Sequence, residues 1–122
     1  MKETLNLYDD VQWTAYTDNP KQLESAINNS LKVWTVWKQD LLIGLARVVG
    51  DGYTIIYIQD ILVLESYQGR GIGTELMKLI FDQYKSVRQI VLVTEDKEKN
   101  IMFYEKNGLT EISNYDCVAF MK

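Results

Sequence analysis

From Gln59 to Thr74 the chain reads Gln-Asp-Ile-Leu-Val-Leu-Glu-Ser-Tyr-Gln-Gly-Arg-Gly-Ile-Gly-Thr. This is an apolar strand-like run, a loop with glycine at every second position, and the start of a helical pattern. Glycine lets the backbone approach a ligand closely, and the first N–H groups of a helix lie at the positive end of its dipole. A turn of this composition suits a pyrophosphate, with Arg70 adding charge beside it. Two common phosphate loops do not fit. A Walker loop closes on Gly-Lys-Ser or Gly-Lys-Thr, and a dinucleotide fingerprint read from Gly69-Arg70-Gly71 meets Thr74 where its third glycine belongs. The plain structural alternative is an ordinary tight turn ahead of a helix.

Composition narrows the remaining chemistry. There is no histidine, which removes Ser-His-Asp and Cys-His catalysis, His-ligated zinc and imidazole proton transfer. The single cysteine, Cys117, cannot form an internal disulfide and reads as a small buried residue of a terminal strand. Thirteen Lys and Arg against seventeen Asp and Glu give a formal charge of −4, so no broad electrostatic footprint for nucleic acid or an anionic membrane is expected. Met1-Lys2-Glu3-Thr4-Leu5 lacks the apolar core of a signal peptide, and no apolar run reaches bilayer length, which sets a cytoplasmic expectation.

The elements that must position the loop follow from periodicity. With 122 residues, 47% hydrophobic and 25% charged, the chain reads as one globular domain over residues 1–122. Leu5, Tyr8 and Val11 are spaced for a short helix, Trp13–Thr17 reads as loop, and Pro20 opens an amphipathic helix carrying Leu23, Ala26, Ile27 and Leu31. Val33–Trp37, a turn at Gln39-Asp40, Leu41–Val49, a second turn at Gly50-Asp51-Gly52 and Tyr53–Leu64 predict three antiparallel strands. Trp34 and Trp37 are offset to opposite sides of theirs. Gly71–Lys85 predicts a helix with Ile72, Leu76, Leu79 and Ile80 on one face, and Ile90–Val93 a buried central strand. Asp96 is placed to cap a helix from Lys97 to about Asn107, stopped by Gly108, with terminal strands near Leu109–Ile112 and Cys117–Met121.

The loop and its surroundings resemble the GNAT superfamily of acyl-CoA-dependent N-acetyltransferases. That family's signature, Gln/Arg-x-x-Gly-x-Gly/Ala, stands here as Gln68-Gly69-Arg70-Gly71-Ile72-Gly73, between a strand and the helix that follows. A second block, Asn100-Ile101-Met102-Phe103-Tyr104-Glu105-Lys106-Asn107-Gly108-Leu109, is similar to the family's Phe-Tyr-Glu-Lys-x-Gly-Phe. In element order the resemblance runs from about residue 20 to 122. It implies an α+β fold with a GNAT-like mixed, mostly antiparallel sheet, flanking helices and a splayed central cleft. The N-terminal strand is expected to be reduced or missing, because so short a stretch precedes Val33.

The resemblance also implies roles. Ile61, Leu62 and Val63 would offer backbone edge groups to the pantetheine arm of acetyl-CoA, with a strand bulge near Val63 or Leu64. The amides of Gly69, Arg70, Gly71, Ile72, Gly73 and Thr74 would hold the pyrophosphate beside Gln68, and Asn100 would add a contact to the CoA arm. Tyr104 would protonate the departing thiolate, and no metal is needed. Asp60 is the first carboxylate to consider as the base that deprotonates the amine. Some relatives place a glutamate where this chain has Gln59, and alternation would let only one of the two positions face the cleft. Glu95 and a water relay are the other routes, and an amine that arrives neutral needs no strong base.

The implied function is direct acetyl transfer from acetyl-CoA to a primary amine, either a small molecule or a peptide amine. A protein lysine or N-terminal acetyltransferase and a non-catalytic acyl-CoA-binding module are the competing readings. Asn28, Trp34, Tyr57 and Tyr115 are candidates to approach the acceptor, and a homodimer is the expected way to complete a thin acceptor side.

Overall fold

Asn19 shows how local chemistry sets an element here. Its side-chain oxygen accepts the Gln22 amide at 3.2 Å, and Pro20 fills the first turn, where no helical amide bond is lost, so helix α3 runs over Pro20–Asn28. The computed structural model describes residues 1–122. Ahead of α3 lie α1 (Lys2–Asp10) and a single helical turn, α2 (Thr14–Thr17), in place of the expected loop. Aromatic packing accounts for the difference. Tyr8 meets Trp13 and Tyr16 at centroid distances of 6.0 and 5.1 Å, tertiary contacts that stabilise a turn too short to hold itself.

Strands β1 (Lys32–Lys38), β2 (Leu41–Gly50) and β3 (Ile55–Val63) form the expected antiparallel meander, and the elements ahead of β1 are helices with no strand among them. Helix α4 (Ile72–Gln83) leads to β4 (Gln89–Val91), which pairs parallel to β3, giving a mixed sheet in the order β1-β2-β3-β4. The region Ile90–Val93 was expected as a central strand. Instead β4 is an edge strand of three residues, because no further strand forms beyond it. Its pairing with β3 covers only Ile55–Tyr57, so from Ile58 to Val63 the side of β3 away from β2 has no strand partner.

A β-bulge lies in β3, and its position differs from the one expected. Arg47 pairs with Asp60 while Val48 pairs with Ile58, which leaves Gln59 as the extra residue, several positions before Val63 and Leu64. The bulge changes which side chains share a face. Leu45, Leu62 and Leu64 pack with Leu7, Tyr8 and Leu23 beneath the N-terminal helices. By alternation the intervening residues face the other way, where Gly44 approaches Ile72 of α4, and Leu76, Met77 and Ile80 are buried. Trp34 packs edge-on against Tyr84 beyond α4, while Trp37 is 48% exposed.

Met1–Leu92 and Val93–Lys122 form two compact units. The second contains α5 (Glu98–Lys106), capped at Lys97 without a side-chain bond, so the expected Asp96 cap is not formed. Gly108 ends the helical region with φ +91°. The two terminal strands are not formed. A 3-10 turn occupies Ile112–Tyr115, and Cys117 is exposed rather than buried, because no strand pairs with its segment.

Gly50 has φ +135°, and a Cβ there would collide with the Ile55 carbonyl oxygen, whereas a Cβ at Gly69 would meet nothing within 4 Å. Gly50→Ala is therefore expected to lose roughly 2–3 kcal/mol in denaturant unfolding and Gly69→Ala about 1 kcal/mol. Equal losses would contradict this reading of the turn.

Candidate active site

The unpaired edge of β3 runs directly into the glycine loop. After Val63, Leu64 still bonds back to β2 through its amide and the Ile43 carbonyl at 2.9 Å, and a 3-10 turn follows at Glu65–Tyr67. Gly69 and Gly71 both sit in the left-handed region, at φ +78° and +85°, with open space where a Cβ would be. Conformation, not crowding, calls for glycine at these two positions. The first helical bond of α4 runs from the Glu75 amide to the Gly71 carbonyl at 3.0 Å, and no side chain caps the helix start. The amides of Ile72, Gly73 and Thr74 consequently precede the hydrogen-bond ladder, at the positive end of the helix.

Side chains around the loop divide into braces and charges. The Gln68 side-chain amide donates to the Val63 carbonyl at 2.9 Å and ties the loop to the end of β3. The Arg70 guanidinium stacks on the Tyr67 ring at 4.9 Å, and the Lys38 ammonium lies 5.6 Å from the same ring. In a chain of net negative charge, two cations gathered on one aromatic ring beside the loop make a local basic surface.

Asp60 lies where the bulge is, 1% exposed, with both carboxylate oxygens engaged. The Tyr8 hydroxyl donates to Oδ2 at 2.8 Å, the Tyr16 hydroxyl donates to Oδ1 at 2.9 Å, and Arg47 Nε donates to Oδ2 at 2.7 Å. Arg47 also reaches the Ser30 hydroxyl at 3.3 Å and the Ala26 carbonyl at 3.5 Å. Gln59 Nε2 donates to the Tyr16 hydroxyl oxygen at 3.0 Å. Strict alternation would have separated Gln59 and Asp60, yet the bulge brings both side chains to one tyrosine. Burial pushes the Tyr8 hydroxyl well above its ordinary value, and the Asp60 charge adds to the shift. Burial also raises Tyr16, against the opposing Gln59 hydrogen bond. Burial is the largest single influence on Arg47 and works against its charge, but the bond to Asp60, the Asp60 charge and the two tyrosines together outweigh it and hold the guanidinium above its ordinary value.

Tyr8, Tyr16 and Arg47 were not singled out from the sequence. The readable signal was a lone arginine inside Leu41–Val49 and a lone aspartate inside Ile55–Leu64, opposite charges each set in an apolar strand. Asp60, Ile61, Leu62, Val63 and Gln68–Thr74 all belong to the first unit, and β3 with its following loop brings them into one continuous stretch. Asn100 and Tyr104 belong to the second. There Asn100 Nδ2 donates to the Glu95 carbonyl at 3.5 Å, and Tyr104 lies edge-on to Phe103 at 5.0 Å. Burial pushes the Tyr104 hydroxyl up from the ordinary tyrosine value of 10.0.

Comparison with known proteins places these features among acetyltransferases. The profile of the acetyltransferase (GNAT) family matches residues 1–109, so the match begins ahead of residue 20 and takes in the N-terminal helices. A GNAT-family acetyltransferase from Streptococcus pneumoniae is 39% identical and superposes with a TM-score of 0.89, covering 99% of this chain and 88% of that one. A protein named as an uncharacterized N-acetyltransferase, ycf52-like, from Prochlorococcus marinus is 33% identical over 74% of this chain and 52% of its own length. The chain spans about half the length of the curated relatives it matches. A GNAT-family acetyltransferase from Elizabethkingia anophelis, solved with acetyl-CoA bound, shares the fold at 20% identity and a TM-score of 0.60, over 72% of this chain and 59% of that one.

Arg47→Met leaves the buried Asp60 carboxylate without its cation and is expected to cost roughly 3–5 kcal/mol, part of which returns when Asp60→Leu is added. Additive losses in that cycle would contradict the pairing. The tyrosine shifts also fix a pH dependence. Both hydroxyls ionise less readily folded than unfolded, so their contribution is full below the ordinary value of 10.0 and is lost as pH rises above it. The unfolding temperature should stay level to about pH 9 and then fall, less steeply in Tyr8→Phe. A level curve through pH 10 and above would oppose this.

Proposed function

Since this chain belongs to the GNAT acetyltransferase family, we propose that it transfers the acetyl group of acetyl-CoA directly to a primary amine, with residues 1–122 acting as a single catalytic domain. The observation that carries the reading is the unpaired edge of β3 leading straight into a loop with two left-handed glycines and three open helix amides. An edge strand offers N–H and C=O groups to an amide-bearing chain, and the loop offers N–H groups to a pyrophosphate. Acetyl-CoA carries both kinds of group in sequence, together with the thioester whose acyl group is transferred.

In this reading the backbone of Ile61, Leu62 and Val63 lines the pantetheine arm. The amides of Gly69 through Thr74 hold the pyrophosphate, Arg70 adds positive charge, and Asn100 contacts the CoA arm. A β3 edge amide donates to the thioester carbonyl oxygen, which gains negative charge during attack by the amine nitrogen. As the carbon–sulfur bond breaks, the Tyr104 hydroxyl gives its proton to the departing sulfur. Asp60 holds no free oxygen for an amine, so its part is to fix Tyr16 and Gln59 at the bulge. The acceptor enters as a neutral amine, and the proton that its nitrogen must shed after attack passes to water.

The acceptor is a small-molecule amine or a peptide amine. A homodimer belongs to the same reading, supported by β1, whose outer edge is unpaired and carries the exposed Trp37. No helix is long and apolar enough to cross a membrane. A cytoplasmic location accords with a co-substrate produced by metabolism inside the cell.

Release of CoA from acetyl-CoA, followed over a panel of polyamines, amino sugars and peptides, tests the activity. One amine class is expected to accelerate release, and acceleration only by peptides would assign the acceptor to proteins. Acetyl-CoA binding with no turnover on any amine would contradict catalysis and favour a binding module. Tyr104→Phe is expected to lower kcat by roughly a hundredfold while leaving acetyl-CoA affinity unchanged. Because burial raises Tyr104 above 10.0, it stays protonated through neutral pH, and kcat should show no alkaline fall from this group below about pH 10. A falling limb near pH 8, abolished by Tyr104→Phe, would contradict that assignment.

A further inference from the structure

Asp10, the last residue of α1, reaches the backbone just ahead of the glycine loop. Its Oδ2 accepts the Glu65 amide at 2.7 Å, across 55 positions of sequence. Glu65 opens the 3-10 turn Glu65–Tyr67, and no side chain of the preceding residue caps that turn. A carboxylate at this point meets an amide the turn leaves open, in a charge-assisted bond. The loop is built outward from there. The Tyr67 amide returns to the Leu64 carbonyl at 2.8 Å, the Gln68 amide to the Glu65 carbonyl at 3.2 Å, and the Gln68 side chain to the Val63 carbonyl at 2.9 Å.

The same helix also holds β3 within its unpaired edge, where the Tyr8 hydroxyl donates to Asp60. Ile61–Leu64 thus lies between two attachments to one helix of nine residues. We infer that Asp10 is a positioning residue for acyl-CoA: by fixing the Glu65 amide it sets where the glycine loop presents its N–H groups, so α1 helps set co-substrate affinity. This inference rests on the acyl-CoA reading given above.

The sign of the effect separates positioning from charge. Asp10 is an anion bonded at Glu65, four residues ahead of the first amide assigned to phosphate. On charge alone its removal tightens binding of an anionic ligand. Positioning demands the opposite for Asp10→Ala, which removes the acceptor oxygen. Asp10→Asn keeps an oxygen for the Glu65 amide and so retains the loop.

Calorimetric titration of acetyl-CoA into the full chain and both variants decides the matter. Asp10 is exposed, so both variants are expected to fold. Kd should rise about three- to thirtyfold in Asp10→Ala and stay within about twofold of the parent in Asp10→Asn. Deuterium exchange at the Glu65 amide should accelerate markedly in the alanine variant only. Unchanged affinity in both variants, or tighter binding in both, overturns the inference while the acyl-CoA reading survives. A parent chain that does not bind acetyl-CoA overturns both.

Discussion

A carboxylate shut away from solvent must be surrounded by donors, and Asp60 meets that demand by drawing on separate elements of the chain. Arg47 comes from β2, Tyr8 from α1 and Tyr16 from α2, and Arg47 extends the network to the end of α3 through Ala26 and Ser30. Each bond to a charged group is stronger than a neutral one, and leaving the carboxylate short of a partner would cost several times what one bond contributes. The N-terminal helices are therefore not attached to the sheet by apolar packing alone. Their placement over β3 is fixed by where the charge is, and the bulge at Gln59 turns Asp60 to meet them.

That arrangement explains how a three-layered site arises from modest parts. The helices on one face hold the start of the β3 edge, α4 supplies open amides at its end, and short β4 pairing leaves the intervening backbone unpaired. An unpaired edge is normally a liability in a sheet. In the proposed reading it suits an extended ligand, and the cations on Tyr67 lie beside the glycine loop to which that reading assigns the phosphates. On the proposed reading, function and fold meet in one stretch of chain, from Gln59 to Thr74.

Much of this was legible in the residues. The meander, the helix after the loop and the glycine positions follow from alternation, turn chemistry and helical spacing, all of which are local. What could not be read depended on distant partners. Thr14–Thr17 is helical because Trp13 and Tyr16 pack on Tyr8, and the bulge at Gln59 lets Asp60 meet Arg47, Tyr8 and Tyr16. The expected terminal strands have the right residue types, but a strand exists only with a partner, and none pairs with Leu109–Ile112 or Cys117–Met121. Asp60 looked like a base for the same reason that it proved to be a hub: a lone charge in an apolar strand needs an explanation, and sequence alone does not say which.

The central claim is that acetyl-CoA lies along the β3 edge with its pyrophosphate on the glycine loop. Amide chemical shifts of the labelled chain, followed through a titration with acetyl-CoA, test it most directly. The account predicts saturable shifts concentrated at Ile61–Val63 and Gly69–Thr74, with ATP and NADH failing to reproduce the pattern along β3. No saturable shifts with acetyl-CoA, or shifts confined to other surfaces, would contradict it.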